Sequence, residues 1–208
     1  MSYDEVVDSL RTIYDARAEQ REATAKQAWK LAERAAFLDR LHATQAKTLL
    51  EIGAGTGQDS AYFADAGLMV TAVDISPEQV AFCRRKGLTA QVRDVLHLGF
   101  APAAFDAVWS MNCLLHVPND NLAEALSSIR EVMVPGGLAY LGLWGGVDSE
   151  GIMEDDGRFF SFRTDERILS AVAEFFEIVD FHAIEQGFRF QALTLARPAI
   201  SSHRHCWS

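Results

Sequence analysis

Three glycines at alternate positions, Gly53, Gly55 and Gly57, follow an apolar segment in "LLEIGAGTGQDS". Glycine lacks a β-carbon and tolerates positive φ, so a ligand can rest directly on this backbone. A helix is expected from about Gln58, and its free N–H groups would face the same ligand. Glu51, two residues before the first glycine, would repel a pyrophosphate and attract a cation. The stretch therefore predicts a site for a ligand with a positively charged end.

Two more carboxylates stand at the ends of predicted strands. Asp74 ends "MVTAVD", where an open α/β sheet places the carboxylate that binds ribose hydroxyls, so the ligand is expected to contain a ribose. Asp94 ends "AQVRD" and could accept a hydrogen bond from an amino group such as that of adenine. A helix cap or a surface acid explains Asp94 equally well.

The spacing of apolar residues predicts the helices and strands that must position these residues. Residues 4 to 43 have helical periodicity and predict an N-terminal helical cap segment, residues 1–45. From Thr48 to residue 198, short apolar strands alternate with helices, which predicts a doubly wound, mostly parallel α/β sheet. "FEIVDFHAI" and "FRFQALTLA" predict an antiparallel C-terminal hairpin, so the main domain should span residues 46–198. The tail, residues 199–208, is expected to be disordered.

Over residues 48 to 197 the chain resembles the class I S-adenosylmethionine-dependent methyltransferases. The resemblance lies in "LLEIGAGTG", "VTAVDIS", "VRDVLHL", "FDAVWSMNCLLHV" and "IREVMVPGGLAYLGLW". It implies a Rossmann-like sheet of seven strands, S-adenosylmethionine as methyl donor and S-adenosylhomocysteine as product. It implies that the methionine end of the cofactor is held by Glu51, Gly53, Ala54, Gly55 and Gly57. Asp74 and Ile75 would contact the ribose and adenine, and Asp94 and Val95 the edge of the adenine. Met111 and Asn112 would face the methionine moiety.

The segment after the fourth strand indicates which class of molecule accepts the methyl group. Family members that methylate base amines or side-chain amides often carry Asn or Asp, two prolines and an aromatic residue there, whereas this chain reads "SMNCLLHVP". The resemblance therefore implies a small-molecule acceptor. In-line transfer from a sulfonium gains most of its rate from positioning, worth roughly 7 to 11 kcal/mol, so no metal is required. A general base serves only an acceptor that must first lose a proton.

His116 and Tyr14 are the candidate catalytic residues. His116 is expected on the loop after the fourth strand, at the carboxyl edge of the sheet where ligands bind. It could equally pack against or cap that loop without titrating in function. Tyr14 lies on the predicted N-terminal helix, which has no place in the sheet and should cover the site.

Four further residues are candidate substrate contacts, each with a structural alternative: Trp29, Trp144, Phe160 and Arg163. Trp29 and Trp144 could be core aromatics. Phe160 and Arg163 belong to a long segment between the fifth strand and the next helix, and connections of that length are usually functional or disordered. The alternative is a short buried strand, "RFFSF", whose arginines pair with "EDD".

The net charge, the cysteine count and the absence of targeting patterns limit the class of protein. The formal net charge is -10 over 208 residues, which argues against a nucleic-acid partner. The N-terminus lacks a secretory signal pattern and no window resembles a membrane span, so we expect a cytoplasmic protein without a membrane partner, monomeric or homodimeric. The three cysteines form no disulfide or metal-binding pattern. Two alternatives stay open: an NAD-type oxidoreductase, which would prefer G-x-G-x-x-G, and a non-catalytic S-adenosylmethionine-binding protein.

Overall fold

Apolar strands alternate with amphipathic helices along the chain, and the strands form the sheet that the sequence predicts. The computed structural model of this chain describes residues 1–199. The elements in chain order are α1 (Tyr3–Ala16), α2 (Ala18–Ala23), α3 (Ala28–Ala43), β1 (Thr48–Ile52), α4 (Gln58–Asp65), β2 (Met69–Asp74), α5 (Pro77–Arg85), β3 (Thr89–Val92), β4 (Phe105–Met111), α6 (Leu122–Val132), β5 (Met133–Gly145), β6 (Ser149–Ile152), β7 (Phe159–Phe162), α7 (Asp165–Ala173), β8 (Glu177–Glu185) and β9 (Arg189–Ala196).

The main sheet has seven strands in the order β3-β2-β1-β4-β5-β9-β8. The pairs among β1 to β5 are parallel, and β9 is antiparallel to both β5 and β8. The predicted α/β class, strand number and C-terminal hairpin are therefore confirmed. The chain winds outward from β1 to β3 and then returns to β4 on the other side of β1. Ligands bind at the carboxyl ends of strands at such a switch point.

Helices cover both faces of this sheet. On one face α6 and α7 bury side chains such as Leu126 and Ile168, and on the other α3 and α4 bury Phe37 and Phe63. Each such side chain contributes roughly 1.5–3 kcal/mol to folding through its burial. The two layers hold β1 and β4 rigidly, and these are the strands whose ends form the switch point.

The N-terminal segment differs in detail from its prediction. The predicted N-terminal helices are present as three: Arg17, at φ -103° and ψ 3°, separates α1 from α2, and Thr24 adopts an extended backbone after α2. Ser2 begins α1 with a reciprocal capping box to Glu5. The break lets α1 and α2 lie over the switch point while α3 packs on the sheet, through Phe37 and Leu41 among others.

The long connection after β5 is ordered as an antiparallel hairpin of β6 and β7. This agrees with the interpretation of "RFFSF" as a short strand, since Phe159 and Ser161 are buried in β7. Of the tail expected to be disordered, residues 200–208 lie outside the described residues. Within residues 1–199 no helix is long and apolar enough to cross a membrane.

Candidate active site

The glycine loop lies at the switch point, between the end of β1 and the start of α4. A β-carbon on Gly53 would lie 2.6 Å from Cβ of Cys113, and one on Gly57 would lie 2.8 Å from Sγ of Cys83. Both positions also have positive φ, so packing and backbone conformation both require glycine there. Gly55 differs, since the nearest atom to its added β-carbon is Oε1 of Gln79 at 3.6 Å. Of the three glycines of this loop, Gly55 alone has room for a β-carbon, although its φ of 56° is also positive.

Glu51 is a buried carboxylate just before this loop. It is 3% exposed and accepts a short hydrogen bond from the Ser60 hydroxyl. Burial, together with the charge of nearby Asp59, raises the pKa of Glu51 to about 8. Asp59 itself is neutralised by Lys26 and Arg34, at 2.5 and 2.9 Å. Glu51 has no such partner among the described residues, so a cation entering the site would stabilise its ionised form.

Asp74 ends β2 beside the glycine loop. Its carboxylate accepts hydrogen bonds from the backbone N–H of Gly55 at 2.8 Å and of Ser76 at 2.9 Å. Burial raises the pKa of Asp74 despite these two bonds. Each carboxylate oxygen keeps acceptor capacity for a further donor, as binding ribose hydroxyls would require. Ile75 follows, and its carbonyl oxygen accepts from Arg11 on α1 at 3.0 Å.

Asp94 is engaged in a way that the sequence did not indicate. Its Oδ1 accepts from the Tyr3 hydroxyl at 2.5 Å and from the Leu96 backbone N–H at 2.8 Å. The second bond closes a turn after β3, and no helix begins there, so Asp94 is not the helix cap that the alternative interpretation offered. The adjacent Val95 is buried and lines the cavity. Tyr3 was missed because nothing in its local sequence reveals a partner 91 residues away.

Met111 ends β4 on the other side of the switch point, and Asn112 follows it. Asn112 has a φ of 60°, uncommon for a residue with a side chain. Its backbone N–H donates to the Gly142 carbonyl at 2.7 Å, which holds this conformation. Its Oδ1 is buried without a hydrogen-bond partner among the described residues. Such an atom is a candidate acceptor for a ligand donor.

These residues line two adjoining chambers. The apolar chamber lies beneath α1 and holds Asp74, Ile75, Val95, Tyr14 and His116. The polar chamber lies beneath the connection from α2 to α3 and holds Glu51, Ala54 and several basic residues. Both chambers are lined by Arg21, Gly53, Gly55, Met111 and Asn112. The structure therefore brings every predicted cofactor residue except Gly57 and Asp94 to the wall of one or both of these adjoining chambers.

The two candidate catalytic residues are hydrogen-bonded to each other. The Tyr14 hydroxyl lies 2.6 Å from Nε2 of His116, and Nδ1 of His116 lies 2.6 Å from the Phe159 carbonyl oxygen. A carbonyl only accepts, so Nδ1 carries the proton and Nε2 accepts from Tyr14. Arg158 donates to the same hydroxyl at 3.2 Å. Burial lowers the pKa of His116 to about 4 and raises that of Tyr14, so both are neutral at pH 7.

Two of the four substrate candidates pack as an aromatic cluster beside the polar chamber. The rings of Trp29 and Trp144 are 5.7 Å apart, and both contact buried Phe190. The Lys30 ammonium lies 5.1 Å from the Trp29 ring and 5.8 Å from the Trp144 ring. The third candidate, Phe160, lies 4.8 Å from the His116 ring.

Arg163 does not reach either chamber. It is 0% exposed, and its guanidinium donates to the backbone carbonyls of Leu114 and Val117 and to the side chain of Asn119. These bonds fix the loop that carries His116. Because its donors are committed to that loop, the geometry gives Arg163 a structural role and offers no anion-binding head to a substrate.

Comparison with protein families matches residues 49–137 to the methyltransferase domain. Among curated proteins, this chain is 32% identical over 105 residues to the malonyl-[acyl-carrier protein] O-methyltransferase of Enterobacter lignolyticus. It is 34% identical over 103 residues to the 2-methyl-6-phytyl-1,4-hydroquinone methyltransferase of Synechocystis. These matches cover 50% and 47% of this chain but only 41% and 32% of the relatives. The chain thus matches well under half the length of either relative.

Solved structures share the fold. The 1,6-didemethyltoxoflavin-N1-methyltransferase of Burkholderia thailandensis, with bound 1,6-didemethyltoxoflavin and S-adenosylhomocysteine, superposes with a TM-score of 0.75 at 23% identity. The alignment covers 95% of this chain and 91% of that one. At this identity the likeness establishes the fold and nothing about the acceptor.

Proposed function

We propose that this chain, which carries the methyltransferase domain and belongs to the class I S-adenosylmethionine-dependent methyltransferases, transfers a methyl group to a small-molecule acceptor. The observation that carries the proposal is the pair of adjoining chambers at the switch point. Their walls contain the glycine loop, Glu51 and Asp74 together with the hydrogen-bonded pair of Tyr14 and His116.

The residues present fit the proposed cofactor. Asp74 retains acceptor capacity for ribose hydroxyls, and Ile75 and Val95 offer apolar surface to an adenine in the same chamber. Gly55 leaves space where any side chain would intrude, and the buried carboxylate of Glu51 lacks a cation that an amino-acid ammonium would supply. The chain therefore offers complementary groups to the nucleoside and to the amino-acid end.

When bound, S-adenosylmethionine supplies a methyl group activated by its sulfonium. The chain's own part is to hold the acceptor in line and to exclude water, and α1 contributes by covering the apolar chamber with Leu10 and Tyr14. We assign contact with the acceptor to Tyr14 and His116. Nε2 of His116 already accepts from the Tyr14 hydroxyl and Nδ1 is committed to the Phe159 carbonyl, so a proton from the acceptor would reach His116 through the Tyr14 hydroxyl. The low pKa of His116 makes it a weak base, so its main task is to orient the Tyr14 hydroxyl toward a hydroxyl or amine of the acceptor.

Three considerations support a small-molecule acceptor. The curated relatives named above modify a carrier-bound malonyl group and a hydroquinone, as their names state. The net charge of -10 disfavours a nucleic acid. Trp29, Trp144 and Phe160 offer aromatic surface near the chambers and are the proposed contacts for the rest of the acceptor. A cytoplasmic location and a monomeric or homodimeric state stay predictions.

Two measurements test this function. Calorimetry should detect binding of S-adenosylmethionine and S-adenosylhomocysteine and none of NAD; the opposite pattern would assign the chain to an NAD-type enzyme. A metabolite panel with methyl-labelled S-adenosylmethionine should then yield a labelled product. Binding of the cofactor without any labelled product would favour a non-catalytic binding protein.

A further inference from the structure

The Tyr14 hydroxyl has a second polar neighbour besides His116. Nη1 of Arg158 lies 3.2 Å from the Tyr14 oxygen and donates to it, because a guanidinium has no acceptor. Nε2 of His116 accepts the hydroxyl hydrogen at 2.6 Å. A phenolic oxygen carries one hydrogen and two lone pairs. The hydrogen and one lone pair are therefore engaged, and within residues 1–199 the second lone pair has no partner. Tyr14 lines the apolar chamber, so this lone pair is the group that it offers to a ligand.

Arg158 is held in place for this contact by its neighbours. Asp156 accepts from Nε of Arg158 at 2.7 Å and also from Nη2, which leaves Nη1 for Tyr14. The guanidinium lies 4.8 Å from the centre of the Phe160 ring, a cation–π contact. A planar guanidinium fixed by two bonds to one carboxylate has little freedom to turn. Arg158 therefore reaches the Tyr14 hydroxyl in a defined orientation.

The charge of Arg158 acts on both members of the hydrogen-bonded pair. Burial raises the pKa of Tyr14, and the negative charge of Asp74 adds to the rise. The positive charges of Arg158 and Arg21 oppose it. Burial lowers the pKa of His116 to about 4, and the same two positive charges contribute. A neutral His116 keeps Nε2 as an acceptor, so the Tyr14 hydrogen stays directed at it and away from the ligand.

We propose that Arg158 is a positioning residue that holds the Tyr14 hydroxyl with a lone pair toward the methyl acceptor, so that the acceptor binds through an O–H or N–H group. The inference rests on the proposed function, because it concerns the acceptor of that reaction. A thioether or a tertiary amine has no hydrogen to donate to this lone pair, and a thiol is a weak donor. The arrangement thus favours oxygen or nitrogen as the methylated atom.

The proton released by such an acceptor has a defined route. It passes to the Tyr14 oxygen as the Tyr14 hydrogen passes to Nε2 of His116. The electron pair left on the acceptor forms the bond to the methyl carbon, and the pair of the broken carbon–sulfur bond stays on sulfur. The positive charge of the sulfonium is then carried by His116, whose low pKa returns the proton to solvent.

Three variants test the role of Arg158. Arg158→Met removes the charge and the donors but keeps an apolar side chain over Phe160, and Arg158→Lys restores the charge. Arg167→Met is the matched control, because Arg167 also pairs with a carboxylate, Asp148 at 2.5 Å, and lines neither chamber. Each protein is prepared with 3-fluorotyrosine, whose ionisation fluorine NMR reports. The signal of Tyr14 is the one that is missing in Tyr14→Phe.

The direction of the change at Tyr14 separates a positioning role from a purely structural one. Loss of the positive charge in Arg158→Met should raise the pKa of Tyr14 and move its titration up by about 1 in pH. Loss of packing alone would expose Tyr14 and lower its pKa toward that of free tyrosine. Arg158→Lys and Arg167→Met should titrate as the wild type does. A downward change, or none, in Arg158→Met would overturn the inference.

Transfer of an isotope-labelled methyl group into a metabolite extract tests the class of acceptor, because NMR distinguishes methyl groups on oxygen, nitrogen, carbon and sulfur. We expect a product methylated on oxygen or nitrogen. Arg158→Met should form it about tenfold more slowly or less, with the Kd for S-adenosylhomocysteine within about twofold of the wild type, since hydrogen bonds to charged groups are the strong ones. A product methylated on carbon or sulfur, or unchanged transfer in Arg158→Met, would overturn the inference. A wild type that transfers no methyl group would instead refute the proposed function, and the Tyr14 titration would still decide the role of Arg158.

Discussion

The hydroxyl of Tyr14 on α1 lies 2.6 Å from Nε2 of His116, although 102 residues separate the two along the chain. The pair connects the helix that covers the apolar chamber to the loop after β4. Arg158 on the β6–β7 hairpin donates to the same hydroxyl, so three separate segments meet at this point. These hydrogen bonds tie α1 to the loop after β4 and to the β6–β7 hairpin.

Removing the Tyr14 hydroxyl should impair catalysis more than cofactor binding. Tyr14→Phe keeps the ring that lines the chamber but leaves Nε2 of His116 without its donor. We expect methyl transfer to fall by about 100-fold, while the Kd for S-adenosylhomocysteine changes by less than about twofold. Tyr62→Phe, outside both chambers, is the control. Wild-type turnover in Tyr14→Phe would exclude a role for the pair in the reaction.

His116 should make stability depend on pH in the acid range. Its pKa is about 4 in the folded chain against 6.5 for the free group, so the unfolded chain binds more protons between these values. Stability from this group is fully present above about pH 6.5 and is lost as pH falls toward 4. From pH 7 to pH 5 the wild type should lose about 2 kcal/mol more unfolding free energy than His116→Gln. Urea titrations at both pH values measure this, and equal losses would contradict the assigned burial.

Glu51 should make cofactor binding depend on pH. Its pKa of about 8 leaves it largely protonated at pH 6, and only the ionised form attracts an ammonium. Affinity for S-adenosylhomocysteine should therefore rise with pH, by up to about tenfold per unit, between about pH 6 and 8. In Glu51→Gln the affinity should be low and flat across that window. Glu78→Gln, exposed on α5, should retain the wild-type profile; a flat wild-type profile would contradict the role of Glu51.

The glycines of the loop should respond differently to alanine. Gly53→Ala places a β-carbon against Cys113, so it should cost about 1–3 kcal/mol more unfolding free energy than Gly67→Ala, whose β-carbon meets nothing within 4 Å. Gly55→Ala should be close to Gly67→Ala in stability and should weaken S-adenosylhomocysteine binding. Thermal unfolding and calorimetry of the three variants check this, and an unchanged affinity in Gly55→Ala would show that its space is not used.

Local patterns sufficed for the sheet and for the edge at which the candidate cofactor residues lie. Alternation of strands and helices predicts the parallel order, and strand ends place Glu51, Asp74 and Asn112 at one edge because parallel strands share a direction. The resemblance to the methyltransferases added roles that spacing alone leaves open.

Contacts between distant segments could not be predicted in the same way. Tyr3 reaching Asp94 and Arg158 reaching Tyr14 depend on how α1 and the β6–β7 hairpin fold over the sheet. Arg163 is the converse case: its sequence neighbours suggested a charged flank or a pocket residue, yet its guanidinium is buried to satisfy loop carbonyls. The local sequence around a loop arginine does not indicate that its guanidinium will be buried against loop carbonyls.

The most direct test of the account is transfer of labelled methyl from S-adenosylmethionine into a metabolite extract that has been freed of macromolecules. We expect a labelled small molecule with the wild type and about 100-fold less of it with Tyr14→Phe at saturating cofactor. A wild type that binds S-adenosylhomocysteine but labels no small molecule between about pH 6 and 9 would contradict the account.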